Sequence, residues 1–155
     1  MNWLQFSVQW LHVLLGITWF GYAIAMYFLV APPLYTLAED QQRTAFTRLG
    51  AHAARIFPWV GSLVLILGVI RGTVFGPIQS LEALTTWYGI TFIVALIATI
   101  GLFVNGARNI APAMEALQTT PDFPAAAERL RAITRVDLVL FGVVFTCMIL
   151  MRFGV

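Results

Sequence analysis

The sequence has few charged residues, no lysine and a single cysteine. Asp, Glu, Lys and Arg make up 10% of the 155 residues, and all nine basic residues are arginines. The net charge of +2 gives no indication of a nucleic-acid partner, and none is expected. The lone Cys147 excludes an internal disulfide and gives no information about the redox compartment.

The sequence also lacks the short motifs of common soluble enzymes. It contains no phosphate-binding glycine loop, no cysteine pair, no His-Glu zinc motif and no serine-nucleophile signature. Soluble hydrolase, kinase and zinc-protease functions therefore have no support, and whether the chain is an enzyme stays open. No basic segment precedes the first apolar run, which is too long for a signal peptide, so we expect this helix to be retained.

Long apolar runs fill most of the chain, since 60% of its residues are hydrophobic. Four runs are predicted to be helices, at approximately 6–31, 56–70, 87–104 and 136–151. A helix of ~20 residues covers the ~30 Å hydrocarbon core of a bilayer, and the two runs of ~16 residues are at the short end of this range. The sequence predicts an all-α integral membrane four-helix bundle in a single domain.

The arginines are unevenly divided between the two sides of this bundle. Seven lie around the first and third loops: Arg43, Arg48, Arg55, Arg108, Arg129, Arg131 and Arg135. Only Arg71 and Arg152 fall on the other side. By the positive-inside rule we expect a bacterial inner-membrane protein with both termini on the outer, periplasmic side.

Turn and capping residues predict where the helices end. Ala31-Pro32-Pro33 is expected to close the first span, and Ser80 to cap a short interfacial helix at 80–84. Asp122-Phe123-Pro124 is expected to start a helix that continues into the fourth span. The two hairpins are loosely alike, which a tandem repeat or the four-helix topology alone would explain.

Small residues predict where the helices approach one another closely. They lie on the second and third spans: Gly61, Gly68, Gly72, Gly89, Ala95 and Ala98. The fourth span has only Gly142, so we expect it to face lipid or a partner protein more than the others do.

His12 is the leading candidate for a functional residue, because an ionisable side chain inside a membrane span is rarely there for packing alone. Helical spacing places His12, Gly16 and Trp19 on one stripe, which Ala23 and Met26 continue. This pattern suits haem b: the imidazole would bind iron, Gly16 would admit the macrocycle, and Trp19 would pack against it. The alternative is an interfacial histidine bonded to a loop carbonyl beside the outer tryptophans Trp3, Trp10 and Trp87.

His52 is not expected to share an iron with His12. It precedes the second span on the cytoplasmic side, so most of the ~30 Å core separates the two rings. On the outer side, Cys147, Met148 and Met151 lie at roughly the depth of His12. A His12–Met148 haem, or a copper(I) site with these sulfur ligands, is the alternative, because soft sulfur favours copper(I).

A second candidate is a polar cluster at the cytoplasmic end of the spans. Its members are Arg48, His52, Arg55, Asn105, Arg108, Arg135 and Asp137. The cluster could bind propionates, lipid phosphates or a carboxylate, although topogenic arginines with one structural ion pair would give the same pattern. Asp137 is the only acid in or beside a span, so we expect an arginine partner, and Asp137→Asn to cost a few kcal/mol.

The first helix resembles a broad superfamily of small bacterial membrane proteins. Residues 10–21 read WLHVLLGITWFG, with an early histidine followed by Gly and then by Trp-x-Gly. This is similar to the opening of the copper resistance D (CopD) family, of the HemJ-type membrane protoporphyrinogen IX oxidase, and of the membrane region of a urate-oxidising family. Arg55-x-x-Pro58 is similar to a basic-then-Pro pattern in the second helix of these proteins. Residues 105–112 and 130–137 resemble the copper resistance D ending.

This resemblance implies a four-helix core with His12 as a haem or metal ligand. The oxidase family carries a lysine near the start of the third helix, whereas residues 87–91 read WYGIT here. The resemblance therefore implies haem binding rather than the oxidase activity itself.

Three functions remain open from the sequence. The first is a b-type haem protein in redox or electron transfer, and the second is a copper-handling protein. The third is a non-catalytic small subunit of a larger respiratory or photosynthetic complex. The lipid bilayer is the expected partner, with other membrane subunits or further copies of the chain as additional ones.

Overall fold

Every regular element of residues 2–154, the range that the computed structural model describes, is a helix. Four helices are long and apolar enough to cross a membrane, as expected for a multi-pass membrane protein. They are α1 (Trp3–Leu34), α2 (Glu39–Thr73), α3 (Trp87–Thr119) and α4 (Phe123–Phe153). α1 and α3 each contain one π-helical turn, at Met26–Val30 and Gly106–Ile110.

Short polar side chains cap the starts of α1, α3 and α4. Asn2 Oδ1 accepts from the amides of the first turn of α1, and Thr86 Oγ1 accepts from Gly89 N at the start of α3. The predicted start of α4 is confirmed, because Asp122 Oδ1 accepts from Ala125 N at 3.2 Å. The predicted helix at 80–84 is a 3-10 helix at Glu82–Thr85, preceded by a bond from Ala83 N to Ser80 Oγ.

The helices are longer than the apolar runs that predicted them. α2 begins at Glu39 rather than near 56, whereas α4 begins at Phe123, before its apolar run, as the capping residues predicted. The polar stretches that precede these spans are made largely of good helix formers, so the helix continues beyond the apolar stretch. Arginines that the sequence assigned to a first loop therefore lie on α2.

Ala31-Pro32-Pro33 lies in the last turn of α1, which ends at Leu34, one residue after the predicted segment. After the π-helical turn, α-helix resumes at Ala31 and runs to Leu34, with proline in its first turn. Pro32 has no N–H to donate to the preceding turn, and the adjacent π-helical turn lets the helix continue past it. Pro112 has the same position after the π-helical turn of α3.

The chain forms two helix pairs, α1 with α2 and α3 with α4. Each pair has the same order of elements: a long helix, a π-helical turn, α-helix resuming at Ala-Pro, a connection, and a second long helix. This shared order favours the tandem-repeat interpretation. We call the end of the bundle where α1 begins and α4 ends the terminal end, and the opposite end the Arg-rich end.

Trp19 joins the two pairs at the centre of the bundle. Its ring lies 5.5 Å from the Phe103 ring of α3 and 5.1 Å from the Phe141 ring of α4, between centroids. On α2, Gly61 leaves room for it, because a Cβ there would lie 2.8 Å from Trp19 Cη2. Gly61 thus allows close approach as predicted, although its neighbours are aromatic rings rather than a helix backbone.

A second core lies at the Arg-rich end, where α2, α3 and α4 extend beyond the apolar runs. It consists of six buried side chains: Phe46, Ala113, Leu117, Phe123, Ala127 and Leu130. The large apolar side chains of the spans are by contrast mostly exposed, as expected for helices that face lipid.

Candidate functional site

His12 lies in the terminal half of α1 and faces α2. Its Nδ1 is 3.0 Å from the Val64 carbonyl oxygen. A carbonyl oxygen can only accept, so Nδ1 carries a proton, and in the neutral imidazole Nε2 presents its lone pair. The ring is thus held by the helix it faces, and its partner is a carbonyl within α2 rather than the loop carbonyl of the alternative considered from the sequence.

Gly68 explains why His12 reaches this carbonyl. In a helix, the side chain four residues on lies close to a given carbonyl, and at Gly68 that side chain is missing. A Cβ at Gly68 would lie 2.9 Å from His12 Cε1 and 3.5 Å from Nδ1. The predicted close approach at Gly68 therefore serves to seat the imidazole ring.

Gly16 and Trp19, which were predicted to share a stripe with His12, have different surroundings in the structure. A Cβ added at Gly16 would meet nothing within 4 Å, so this side of α1 has open space. Trp19, which was predicted to pack against a macrocycle, instead lies among Gly61, Phe103 and Phe141. Its role in this structure is to pack the four helices together.

The sulfur-bearing residues of α4 are not bonded to His12 in the part of the chain described. Cys147 is buried, and Met148 and Met151 are half-buried. The bond that orients His12 goes to α2 rather than to α4. No group of three or more His, Cys, Asp or Glu side chains suited to a metal ion occurs among residues 2–154. Copper therefore stays a prediction from the sequence.

Gln9 and Arg71 lie next to His12 on the side of the terminal end. Arg71 Nε donates to Gln9 Oε1 at 2.6 Å, and Nη1 donates to the Phe75 carbonyl at 3.3 Å. Gln9 precedes His12 by three residues, and Arg71 follows Gly68 by three, so this pair is about one turn from the imidazole on both helices. From the sequence, Arg71 was used only for topology, although its position at a span end opposite His12 was a usable signal.

The predicted arginine partner of Asp137 is absent among the described residues, where no ion pair involves this carboxylate. Asp137 Oδ1 instead accepts from Asn105 Nδ2 at 2.7 Å, and Asn105 Oδ1 accepts from Asn109 Nδ2 at 2.7 Å. The expectation was wrong because α3 packs closely along α4, so an amide reaches the carboxylate directly. Asn105 is buried and also donates to the Ile133 carbonyl.

The remaining members of the polar cluster are not brought together. Arg48, His52, Arg55 and Arg108 are exposed, and His52 Nδ1 bonds the Arg48 carbonyl of its own helix. Arg135 Nε donates to Tyr27 Oη at 3.1 Å, which ties α4 to α1. A single anion site made by all seven predicted residues does not exist in this structure.

Two other arginines, used only for topology in the sequence analysis, hold the Arg-rich end together. Arg43 donates to the Leu117 and Thr120 carbonyls at the end of α3, bonds Glu39 at 2.6 Å and lies over the Phe123 ring. These carbonyls lack helical partners, so the guanidinium satisfies them and complements the helix dipole.

The second of these arginines, Arg131, lies 3.6 Å from the centroid of the Tyr35 ring. Burial raises the pKa of the Tyr35 phenol, and Arg131 opposes this shift. Both arginines are therefore structural residues of this end as well as charges.

Comparisons with known proteins add no family to this description. No family model matches the chain, and neither the curated proteins nor the solved structures searched gave a match. Fold and site together are compatible with a multi-pass membrane protein that has one oriented histidine between α1 and α2.

Proposed function

We propose that this protein binds b-type haem through His12 and acts in redox or electron transfer at the bacterial inner membrane. The observation that carries the proposal is the bond between His12 Nδ1 and the Val64 carbonyl. Histidines that bind metals usually donate their other ring N–H to a carbonyl or carboxylate, which fixes the tautomer and raises ligand basicity. His12 has this arrangement, with Nε2 as its ligand atom.

The residues around His12 fit such a group in two respects. A Cβ at Gly16, one turn further along the helix, would meet nothing within 4 Å, so no described residue blocks that side of α1 against a flat macrocycle. Gly68 allows the ring to stay seated against α2. Trp19 is not part of this fit, because its ring is engaged with other aromatic rings. When bound, haem would supply a one-electron couple, whose potential depends on its axial ligands and on the polarity around it. The resemblance of residues 10–21 to haem- and metal-binding membrane proteins points the same way.

The proposal includes an orientation with both termini outside. It is supported by seven of nine arginines lying toward the Arg-rich end. A reporter that is active only after export, fused after the last residue, should be active, and one that is active only in the cytoplasm should not. Cytoplasmic activity at the C-terminus would overturn this orientation.

The haem proposal is tested by absorbance of the protein made with adequate haem supply. We expect a Soret band in the wild type, its loss in His12→Ala, and its partial return when imidazole is added to that variant. His52→Ala is the matched control, because His52 is exposed and bonded only within α2. Helical circular dichroism should be equal in all three proteins.

Other results would lead to the competing functions. A wild-type protein without a Soret band contradicts haem binding. Stoichiometric copper without haem would favour copper handling, and co-purifying larger subunits with neither would favour a structural subunit. A Soret band that survives in His12→Ala but disappears in His52→Ala would refute the assignment of His12.

A further inference from the structure

A shallow, open cavity of about 220 Å³ lies at the terminal end of the bundle, between the start of α1 and the end of α2. Five residues line it: Asn2, Gln5, Phe6, Gln9 and Arg71. With ~30 Å³ as the volume of one water molecule, the space is large enough for a carboxylate or phosphate group. Its lining is rich in hydrogen-bond donors and carries one positive charge.

Arg71 has no acidic partner within residues 2–154. Its two bonded partners are neutral oxygens, of the Gln9 amide and the Phe75 carbonyl. Arg43 and Arg131, by contrast, each bond a glutamate. Arg71 is also half-buried at the end of a membrane span, where an unneutralised charge is costly.

The free polar groups of this cavity are donors. Gln9 uses its oxygen to accept from Arg71, which leaves its amide N–H groups without a partner in the described range. Asn2 uses its oxygen to cap α1, which leaves its side-chain N–H groups free to donate to a ligand. Arg71 Nη2 likewise has no bond to the described residues. Donors on two helices around one cation are the arrangement that binds an oxyanion.

We propose that this cavity is a binding site for an oxyanion, a carboxylate or a phosphate, held by Arg71 with the amides of Gln9 and Asn2. The oxyanion comes from a small solute or from the headgroup of an anionic lipid. It neutralises Arg71 and bridges α1 to α2 one turn from His12. The inference concerns the protein without cofactor and stands whether or not His12 binds haem.

Thermal unfolding in an uncharged detergent tests the site, with three probes at constant ionic strength: phosphate, acetate, and short-chain phosphatidylglycerol against phosphatidylcholine. We expect saturable stabilisation of the wild type by at least one anionic probe. In Arg71→Gln the apparent dissociation constant should rise at least ~10-fold. Arg152→Gln is the matched control, because Arg152 is an exposed arginine at the same end of the bundle, and it should respond like the wild type.

A second variant keeps the test decisive if Arg71→Gln does not fold. Gln9→Glu places a carboxylate where Arg71 Nε already bonds, so the chain would fill its own site. We expect this variant to be more stable than the wild type without added anion, and to lose the response to the probes. Stabilisation by phosphate or acetate identifies a solute site, and stabilisation by phosphatidylglycerol alone identifies a lipid site. No saturable response to any probe, or an undiminished response in Gln9→Glu, would overturn the proposal.

Discussion

Replacing Gly61 with alanine is expected to destabilise the bundle, because the added methyl group has no room at the point where all four helices meet. Its carbon would lie 2.8 Å from Trp19 Cη2 and 2.9 Å from Phe103 Cζ. The Trp19 ring also packs edge-on against Phe141, so it cannot move away from α2 without disturbing α4. The clash therefore has to be relieved by shifting a helix or a ring.

The size of the effect follows from two opposing terms. Overpacking a well-packed core costs ~1–3 kcal/mol. Alanine is favoured over glycine inside a helix by up to ~1 kcal/mol. Gly142→Ala is a matched control, because a Cβ at Gly142 meets nothing within 4 Å and only the second term applies. Gly61→Ala should therefore be less stable than Gly142→Ala by about 1–3 kcal/mol.

Reversible unfolding of both variants in the same detergent, followed by circular dichroism, measures this difference. Trp19→Ala provides an internal check, since it removes the ring that Gly61 accommodates. In that background, Gly61→Ala should lose much of its cost, because the two residues are in contact and their effects are not additive. Equal stabilities of Gly61→Ala and Gly142→Ala would refute the central packing described here.

Three further variants test individual contacts. Gly68→Ala should push the His12 ring away from the Val64 carbonyl and lower stability by ~1 kcal/mol, after allowance for the higher helix propensity of alanine. If haem is bound, the Soret band should also change. Asp137→Asn should lower stability by under ~1 kcal/mol, because an acceptor oxygen remains for Asn105. Asp137→Leu removes that acceptor from the buried Asn105 amide and should lower stability by ~1–3 kcal/mol. Arg43→Gln should cost ~1–3 kcal/mol and speed hydrogen exchange at the Arg-rich end of α3.

Specific results would contradict each of these expectations. An unchanged Soret band and stability in Gly68→Ala would mean that the ring is not held against α2. A loss of several kcal/mol in Asp137→Asn would restore the arginine partner expected from the sequence. The control for Arg43→Gln is Arg129→Gln, an exposed arginine of α4 with no hydrogen bond or ion pair among residues 2–154, and equal exchange rates in the two would remove the role given to Arg43.

Local sequence was enough for the features that depend on local physics. A continuous apolar run specifies a span, because backbone groups in lipid must be satisfied within the helix. Asp122 before Phe123-Pro124 specifies a helix start, because its side chain caps amides only three residues on. The start of α2 at Glu39, well before its apolar run, was missed, because charged residues that form helices well resemble a loop when only hydropathy is considered.

The contacts of the site depended on the tertiary structure. His12 was visible as an unusual intramembrane residue, but its partner, the Val64 carbonyl, is set by the depth and rotation at which α2 meets α1. The same holds for Trp19 at the bundle centre, for Asp137 with Asn105 in place of an arginine, and for Arg71 with Gln9. The sequence by itself determined which residues would be costly to place in a membrane. Only the packing of the helices decided which neighbours compensate that cost, because these neighbours are distant in the chain and are selected by helix rotation rather than by spacing.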